Sequence, residues 1–266
     1  MSILRKNKFL FLYIFIFAVA FIIACTNMVF AGKKSNEPVE IKFIAKDGFN
    51  LAGILDIPQK ASVKNKAPLV IFIHSIGRDK TSWKDYTYKV KNLDMATLNL
   101  DLRGHGQSIK DKNGKSKYWQ NFKDEEFGKY PDDLISAINY LKKEYPEVNT
   151  NKIAIIATSI GVNAAIIAGS KDKNNIKTLV LLSPVSKYKG IDSRTQLVEY
   201  GNHPVLMMVS EKDKFAYSSS LDLIRYAQGK KVLKVFPYGG HGTDLLKFQP
   251  ESQQIIIDWL KSNFLS

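Results

Sequence analysis

Short hydrophobic runs alternate with longer amphipathic segments from residue 38 to the end of the chain. The hydrophobic runs lack the polar alternation of a half-exposed strand, which is typical of parallel strands covered on both faces. The segments between them carry apolar residues at helical spacing, as Leu134, Ile138 and Leu141 do. This alternation predicts an α/β protein with a mostly parallel, doubly wound sheet of about eight strands.

An antiparallel hairpin is predicted to lead the sheet. The alternating runs VEIKFIA and NLAGILDIP flank Asp47-Gly48, which is a turn signal. The later predicted strands are residues 67–74, 95–106, 152–157, 177–184, 203–210 and 230–238. The predicted helices are residues 81–93, 131–145, 160–170, 218–228 and 250–264.

The amino terminus has a different composition. A basic stretch, MSILRKNK, precedes sixteen uncharged residues from Phe9 to Ala24, the layout of a secretory signal. We therefore divide the chain into residues 1–34, a signal or membrane anchor, and residues 35–266, a single domain. The sequence predicts a protein exported to the cell envelope.

Two processing sites compete at the end of this signal. Ile22 to Cys25 resembles a bacterial lipobox, which makes Cys25 a lipidation candidate, whereas Val29 to Ala31 resembles an ordinary cleavage site. An uncleaved anchor is the third alternative, because the apolar run is long enough to span a bilayer. Cys25 is the only cysteine, so an internal disulfide is excluded.

The net charge of +14 is partly a property of the signal, and without the five bases of residues 1–34 it is +9. Only five residues are arginine, and the lysines are spread along the sequence. This pattern indicates a solvated surface suited to an anionic envelope and argues against a nucleic-acid partner. Metal-ligand spacing and a phosphate-binding glycine loop are both missing from the sequence, so no metal or cofactor is expected.

Ser159 lies at a predicted junction between a strand and a helix. The sequence there, A-x-S-x-G, has small residues two positions before and after the serine, Ala157 and Gly161. A sharp turn of this kind holds a serine above the sheet and needs small neighbours, because the helix returns close to the strand. Ser159 is therefore the candidate nucleophile.

A serine hydroxyl becomes nucleophilic when a base takes its proton and an acid orients that base. His241 follows the last predicted strand between glycines, and Asp213 follows the strand before it. Carboxyl ends of parallel strands meet at one edge of the sheet, where ligands bind. We predict His241 as the base and Asp213 as the acid, with Glu211 as the alternative acid.

An oxyanion hole is the third requirement of this chemistry. One backbone N–H is expected from Ile160, the residue after the nucleophile, and the other from Ile76 in the loop after the strand 67–74. The remaining histidines have structural interpretations. We expect His105 to support a loop, His74 to shape the oxyanion loop, and His203 to be exposed.

The chain resembles the α/β-hydrolases, specifically the lidless esterase-like or dienelactone-hydrolase-like group, over nearly all of residues 38–266. The matching segments are DGFNLAGILDIP, VIFIHSIGRDKTSW, LDLRGHGQS, ATSIGVNAA, VSEKDKF and GGHG. The resemblance implies a serine hydrolase, favours Asp213 as the acid, and implies a carboxylesterase as the activity. Two departures are H-S-I-G in the oxyanion loop and Ala157 in place of glycine. The serine nucleophile distinguishes the chain from dehalogenases, epoxide hydrolases and true dienelactone hydrolases.

The substrate is predicted to be a small or medium acyl ester. Only nineteen residues, 185–203, separate two predicted strands where related enzymes insert a lid, so no large lid domain is expected. Tyr118, Trp119 and Phe122 are positioned to wall one side of the site. A serine peptidase of related fold and a non-catalytic envelope binding lipoprotein are the alternatives.

Overall fold

An eight-stranded sheet runs through residues 37–266, the part of the chain that the computed structural model describes. In spatial order its strands comprise residues 39–44, 50–56, 96–100, 67–73, 148–158, 176–182, 205–210 and 231–236. The second of these is antiparallel to both of its neighbours, and the later strands are parallel. The predicted doubly wound sheet with an antiparallel start is therefore confirmed. The predictions for residues 1–34, Cys25 included, lie outside the described residues.

The strands are short and mostly buried. Their bounds are β1 Val39–Ile44, β2 Asn50–Asp56, β3 Ala67–Ile73, β4 Ala96–Leu100, β5 Val148–Thr158, β6 Ile176–Leu182, β9 Val205–Ser210 and β10 Lys231–Phe236. A separate two-stranded hairpin consists of β7 Lys187–Tyr188 and β8 Ile191–Asp192. In the described chain, this hairpin and one short helix are the regular structure between β6 and β9, so no large lid is present there.

Helices cover both faces of the sheet. They are α1 Lys84–Lys91, α2 Asp124–Phe127, α3 Tyr130–Glu144, α4 Ile160–Lys171, α5 Arg194–Glu199, α6 Lys214–Leu223, α7 Asp244–Phe248 and α8 Glu251–Leu260. Short 3₁₀ turns at Lys80–Trp83, Trp119–Asn121 and Ile224–Tyr226 and a π-helical turn at Lys261–Leu265 complete the secondary structure. Buried residues of α3 and α4 pack on one face of the sheet, and those of α1 and α8 pack on the other.

The strand predicted over residues 95–106 is too long, because β4 ends at Leu100. The chain turns at Asp101, whose carboxylate accepts the backbone N–H groups of Lys80 and Gln107 at 2.7 and 2.9 Å. A buried ion pair from Lys80 Nζ to Asp101 Oδ2, at 2.8 Å, completes the turn. The polar residues after Leu100 thus belong to a hydrogen-bonded loop at the edge of the sheet.

Within residues 37–266, no helix combines the length and the apolar character that crossing a lipid bilayer requires.

Candidate active site

Ser159 lies at the turn between β5 and α4 with a backbone conformation of φ 55° and ψ −125°. Non-glycine residues rarely adopt such a positive φ, and it persists where surrounding contacts enforce it. One of these contacts is the hydrogen bond that the Ser159 N–H donates to the Leu182 carbonyl at the end of β6, at 3.1 Å. The residue is only 6% exposed, so little of it faces solvent in the absence of substrate.

Gly161 allows α4 to start close to β3. A Cβ at this position would lie 2.7 Å from Ile73 Cγ2 and 2.9 Å from the His74 carbonyl oxygen, so a larger residue would push the helix away. Ala157, two residues before the serine, is fully buried and paired with Ile73 in the sheet. The turn thus needs glycine on its helical side and accommodates a methyl group on its strand side.

His241 and Asp213 are brought together by the loops after β10 and β9. His241 Nδ1 donates a hydrogen bond to Asp213 Oδ2 at 2.6 Å. This contact orients the ring and leaves Nε2 as the free basic nitrogen when the imidazole is neutral. The side chain of Asp213 is 14% exposed and that of His241 is 43% exposed. The pair can therefore hold a base open to substrate.

Glu211, the alternative acid, has a different environment. Its side chain is 54% exposed, and its carboxylate faces Lys214 at 3.9 Å across one turn of chain. The hydrogen bond to His241 belongs to Asp213.

The loop that carries His241 contacts the ends of β5 and β6. Gly242 donates its backbone N–H to Ser183 Oγ after β6, at 2.9 Å. Its Cα also lies against the side chain of Thr158, the residue before the nucleophile. In the described chain, Ser159 Oγ makes no hydrogen bond. A catalytic hydrogen bond of this kind often closes only when substrate binds.

The two predicted oxyanion donors are backbone N–H groups without a partner in the described residues. Within residues 37–266, neither the Ile76 N–H nor the Ile160 N–H has a hydrogen-bond acceptor. Ile160 is the first residue of α4, where the helix dipole adds positive potential. The close approach of Gly161 to the His74 carbonyl draws this end of α4 toward the loop that contains Ile76. Both N–H groups are therefore available to an incoming oxyanion.

Two buried histidines fasten the oxyanion loop to its neighbour after β4. His105 Nε2 accepts the backbone N–H of Gly77 at 3.1 Å, while its Nδ1 donates to the Arg103 carbonyl at 3.1 Å. His74 Nδ1 donates to the Ser75 carbonyl at 2.8 Å, and its Nε2 accepts the Leu102 N–H at 3.0 Å. These bonds require neutral rings. Burial lowers the pKa of each histidine to about 4.

Sequence reasoning foresaw supporting roles for His74 and His105 but missed the specific bond from His105 to Gly77. It also missed Ser183, which binds the loop next to His241. The serine lies near the end of the predicted strand 177–184, and that position was the available signal. Its positive φ of 45° has no marker in the sequence.

Aromatic residues form one rim of the site. The indole of Trp119 stacks on the His105 ring with centroids 5.6 Å apart and planes 4° apart. Trp119 Cζ2 also lies 3.5 Å from the Cβ position of Gly77 in the oxyanion loop. Phe122 packs behind it against Gly104, and Tyr118 is 48% exposed. Trp119 thus packs against the loop that is predicted to carry one oxyanion donor.

The hairpin β7–β8 approaches this rim. The Cα of Gly190 packs against Asp124, and Lys189 Nζ lies 5.6 Å from the centre of the Phe127 ring. Asn163 of α4 ties the hairpin to the nucleophile helix through a hydrogen bond to Ser193 Oγ at 3.1 Å. The rim therefore consists of two short segments that contact each other, the one from Trp119 to Phe127 and the hairpin β7–β8. No cluster of three histidine, cysteine or acidic side chains suited to a metal ion occurs within residues 37–266.

Comparison of the sequence with protein families finds the family described as "Serine aminopeptidase, S33", whose model matches residues 64–200, just over half of the chain. Among curated relatives, the monoglyceride lipase of Rattus norvegicus is 26% identical over 117 residues. The aligned part is 44% of this chain and 35% of that protein. The chain thus matches about a third of the length of this relative.

Two solved structures share the fold over nearly their whole length. The dienelactone hydrolase of Anabaena variabilis is 18% identical with a TM-score of 0.65, covering 85% of this chain and 99% of its own. Est1E of Butyrivibrio proteoclasticus, solved with ferulic acid bound, is 18% identical with a TM-score of 0.69. It covers 85% of this chain and 100% of its own.

Proposed function

The chain belongs to the serine aminopeptidase S33 family of α/β-hydrolases, and on that premise we propose that it is a serine carboxylesterase that forms an acyl-enzyme on Ser159. The observation that carries the proposal is the short hydrogen bond from His241 to Asp213, on the same edge of the sheet as the strained Ser159 turn. A non-catalytic binding lipoprotein would not need a paired, exposed imidazole beside a strained serine.

The reaction follows from these positions. His241 Nε2 takes the proton of Ser159 Oγ as the oxygen attacks the ester carbonyl carbon, and Asp213 stabilises the resulting imidazolium. The N–H groups of Ile76 and Ile160 bind the oxyanion. His241 then protonates the leaving alcohol. A water molecule, deprotonated by His241, hydrolyses the acyl-serine and restores the enzyme.

Small or medium acyl esters are the proposed substrates. The rim formed by Trp119 and the hairpin β7–β8 is short, and Trp119 stacks beside the oxyanion loop where an acyl or alcohol group would lie. The dienelactone hydrolase and the monoglyceride lipase, by their names, hydrolyse an ester bond, which is consistent with an ester substrate.

The nucleophile is tested with a fluorophosphonate probe and a p-nitrophenyl ester. We expect wild-type protein to be labelled once and Ser159→Ala to lose both labelling and roughly 10³-fold or more of the hydrolysis rate. Ser218→Ala, which changes an exposed serine of α6, is the matched control and should behave as wild type. Unlabelled, folded wild-type protein would contradict the proposal.

A serine peptidase is the second candidate, because the matching family is described as an aminopeptidase family. Esters and amides of the same acyl group separate the two candidates. We expect esters of two to eight acyl carbons to be hydrolysed far faster than the matched anilides. A kcat/KM for an aminoacyl anilide that equals or exceeds that of the ester would favour the peptidase.

Export to the cell envelope is proposed from the amino-terminal sequence alone. Lipidation of Cys25, cleavage after Ala31 and an uncleaved anchor predict different mature amino termini, and the first and third place the hydrolase at a membrane. Mass spectrometry of the amino terminus distinguishes them. A diacylglyceryl-modified Cys25 supports the lipoprotein, a free Gly32 excludes it, and an intact terminus in the cytosol overturns export.

A further inference from the structure

Ser183 occupies the first position after β6 and is completely buried. Its N–H donates to the Met208 carbonyl of β9 at 2.8 Å, and its Oγ accepts the Gly242 N–H at 2.9 Å. The side chain therefore joins a central strand to the residue that directly follows His241. A backbone donor held by a buried hydroxyl has little freedom to move.

The backbone of Ser183 is strained in the same way as that of Ser159. Its φ is 45°, and the two residues end adjacent strands, since Thr158 of β5 pairs with Leu182 of β6. The Leu182 carbonyl accepts the Ser159 N–H. Strained non-glycine residues of this kind cluster at functional sites. Residues 182–183 thus contact the nucleophile turn on one side and the histidine loop on the other.

Gly242 fits into a space bounded by hydroxyl groups. Its φ is +64°, and a Cβ there would lie 2.7 Å from Ser75 Oγ and 2.8 Å from Thr158 Oγ1. These two hydroxyls are hydrogen bonded to each other. Ser75, Thr158 and Ser183 follow or end β3, β5 and β6, so three neighbouring strand ends together hold the one glycine.

His241 itself has few restraints. Within the described residues, its one side-chain hydrogen bond is to Asp213, and 43% of its side chain is exposed. The imidazole can pivot about this bond unless the backbone of the loop is fixed. The hydrogen bond from Gly242 to Ser183 supplies that fixation from a rigid strand. A catalytic group displaced by about 1 Å can lose roughly 10²-fold in rate.

We propose that Ser183 is a positioning residue, whose hydroxyl holds the His241–Gly242 loop so that the imidazole stays within reach of Ser159. The inference rests on the proposed function, in which His241 is the base. Ser183 acts through the loop and contacts no reacting atom. Its removal should therefore lower kcat and leave KM nearly unchanged.

Two substitutions separate the hydroxyl from the backbone strain. Ser183→Ala removes the hydroxyl and keeps a side chain at positive φ, whereas Ser183→Gly removes the hydroxyl and relieves the strain. We expect kcat for ester hydrolysis to fall about 30-fold in both variants, with KM within twofold. A Ser183→Gly variant with wild-type kcat would overturn the proposal, because the hydroxyl would then be dispensable.

Thr178→Val is the matched control. Thr178 is buried on the same strand, accepts the Trp259 Nε1–H at 2.9 Å and donates to the Pro204 carbonyl at 2.9 Å, at the opposite end of β6. It should lower the melting temperature while kcat stays within twofold of wild type. An equal loss of kcat in this control would mean that the Ser183 effect is general loss of packing.

A readout that does not require turnover distinguishes failure of this inference from failure of the proposed function. The proton between His241 Nδ1 and Asp213 should give a far-downfield NMR resonance in the Ser159→Ala background. We expect that resonance to broaden or vanish when Ser183→Ala is added, and to persist with Thr178→Val. An unchanged resonance overturns the positioning role. If the resonance is lost on adding Ser183→Ala, and the protein with Ser159 intact hydrolyses no ester in a Ser159-dependent way, the positioning role is supported and the esterase is rejected.

Discussion

The two sides of the candidate site are held in opposite ways. On the oxyanion side, His74 and His105 are buried and neutral, and each bonds two backbone groups. On the base side, His241 is 43% exposed and shares one side-chain hydrogen bond with Asp213. The first side uses imidazole as a rigid spacer, and in the proposed mechanism the second uses the same ring as a proton carrier.

The difference follows from what each side must do. Oxyanion donors act by being fixed in advance, so burial and complete hydrogen bonding favour them. A general base must exchange protons with substrate and water, so it cannot be enclosed in the same way. The base side therefore obtains its precision from the backbone, through the bond from Gly242 to Ser183.

The largest effect is expected from Asp213→Asn, which removes the carboxylate that pairs with His241 on the base side. The amide cannot accept the Nδ1 proton as a carboxylate does, and it favours the wrong histidine tautomer. We expect kcat to fall by about 10³- to 10⁴-fold, measured with a p-nitrophenyl ester.

Glu211→Gln is the matched control for Asp213→Asn, since the exposed Glu211 carboxylate faces Lys214. Its kcat should stay within twofold of wild type. If Glu211→Gln causes the large loss and Asp213→Asn does not, the acid is misassigned.

A smaller effect is expected from loosening the oxyanion side. His105→Ala removes the acceptor of the Gly77 N–H, so the loop that carries Ile76 gains freedom, and we expect about a tenfold loss of kcat. His105→Gln places an amide oxygen near the lost Nε2 and should recover part of the rate.

The control for the His105 variants is His203→Ala. Contrary to the expectation that it is exposed, His203 is half-buried, because its ring stacks on Tyr200. It lies before β9, at the opposite end of the strands. Its kcat should match wild type. Equal rates for His105→Ala and wild type would show that the oxyanion loop is fixed without His105.

The last prediction concerns the dependence of stability on pH and leaves activity aside. The pKa of His105 is about 4 in the folded protein, against an ordinary value of 6.5, because burial disfavours the charged ring. The unfolded chain therefore binds more protons between these pH values. The contribution of the neutral ring to the free energy of unfolding is complete above pH 6.5. It is lost as the pH falls toward 4, by up to roughly 3 kcal/mol for each such histidine.

Asp133 opposes this trend, since burial raises the pKa of its carboxyl to about 6 despite its bond to Arg103. The contribution of the protonated Asp133 carboxyl to the free energy of unfolding is present at low pH and is lost as the pH rises. Comparing wild type with His105→Gln by denaturant unfolding from pH 4 to 7.5 removes the Asp133 contribution. We expect the wild-type free energy of unfolding to fall more steeply on acidification, and parallel curves would contradict a neutral, buried His105.

Much of the fold was predictable because its strands are buried on both faces and read as hydrophobic runs. The parallel strands, the hairpin and the positions of Ser159, Asp213 and His241 at strand ends follow from that pattern. The end of β4 was not predictable from hydrophobicity. Leu102 is as apolar as the strand residues, and the chain leaves the sheet because Asp101 binds Lys80 and two backbone N–H groups.

The links between loops were also beyond the sequence. The hydrogen bond that the Gly242 N–H donates to Ser183 Oγ joins residues 59 positions apart, and no periodicity connects them. Likewise, the short elements α2, α5 and β7–β8 lack a hydrophobic period long enough to be recognised. Sequence patterns report which faces are buried, and they carry little information on which polar atoms meet across loops.

Gly161 and Gly242 determine how this site would respond to saturation mutagenesis. The proposed oxyanion donors of Ile76 and Ile160 are main-chain atoms, so many apolar side chains should be tolerated at those positions. At Gly161 and Gly242 a single methyl group meets neighbouring atoms within 3 Å. Saturation mutagenesis should therefore find the fewest tolerated substitutions at Gly161 and Gly242, although neither has a functional side chain. These glycines should be more restricted than residues that touch the substrate.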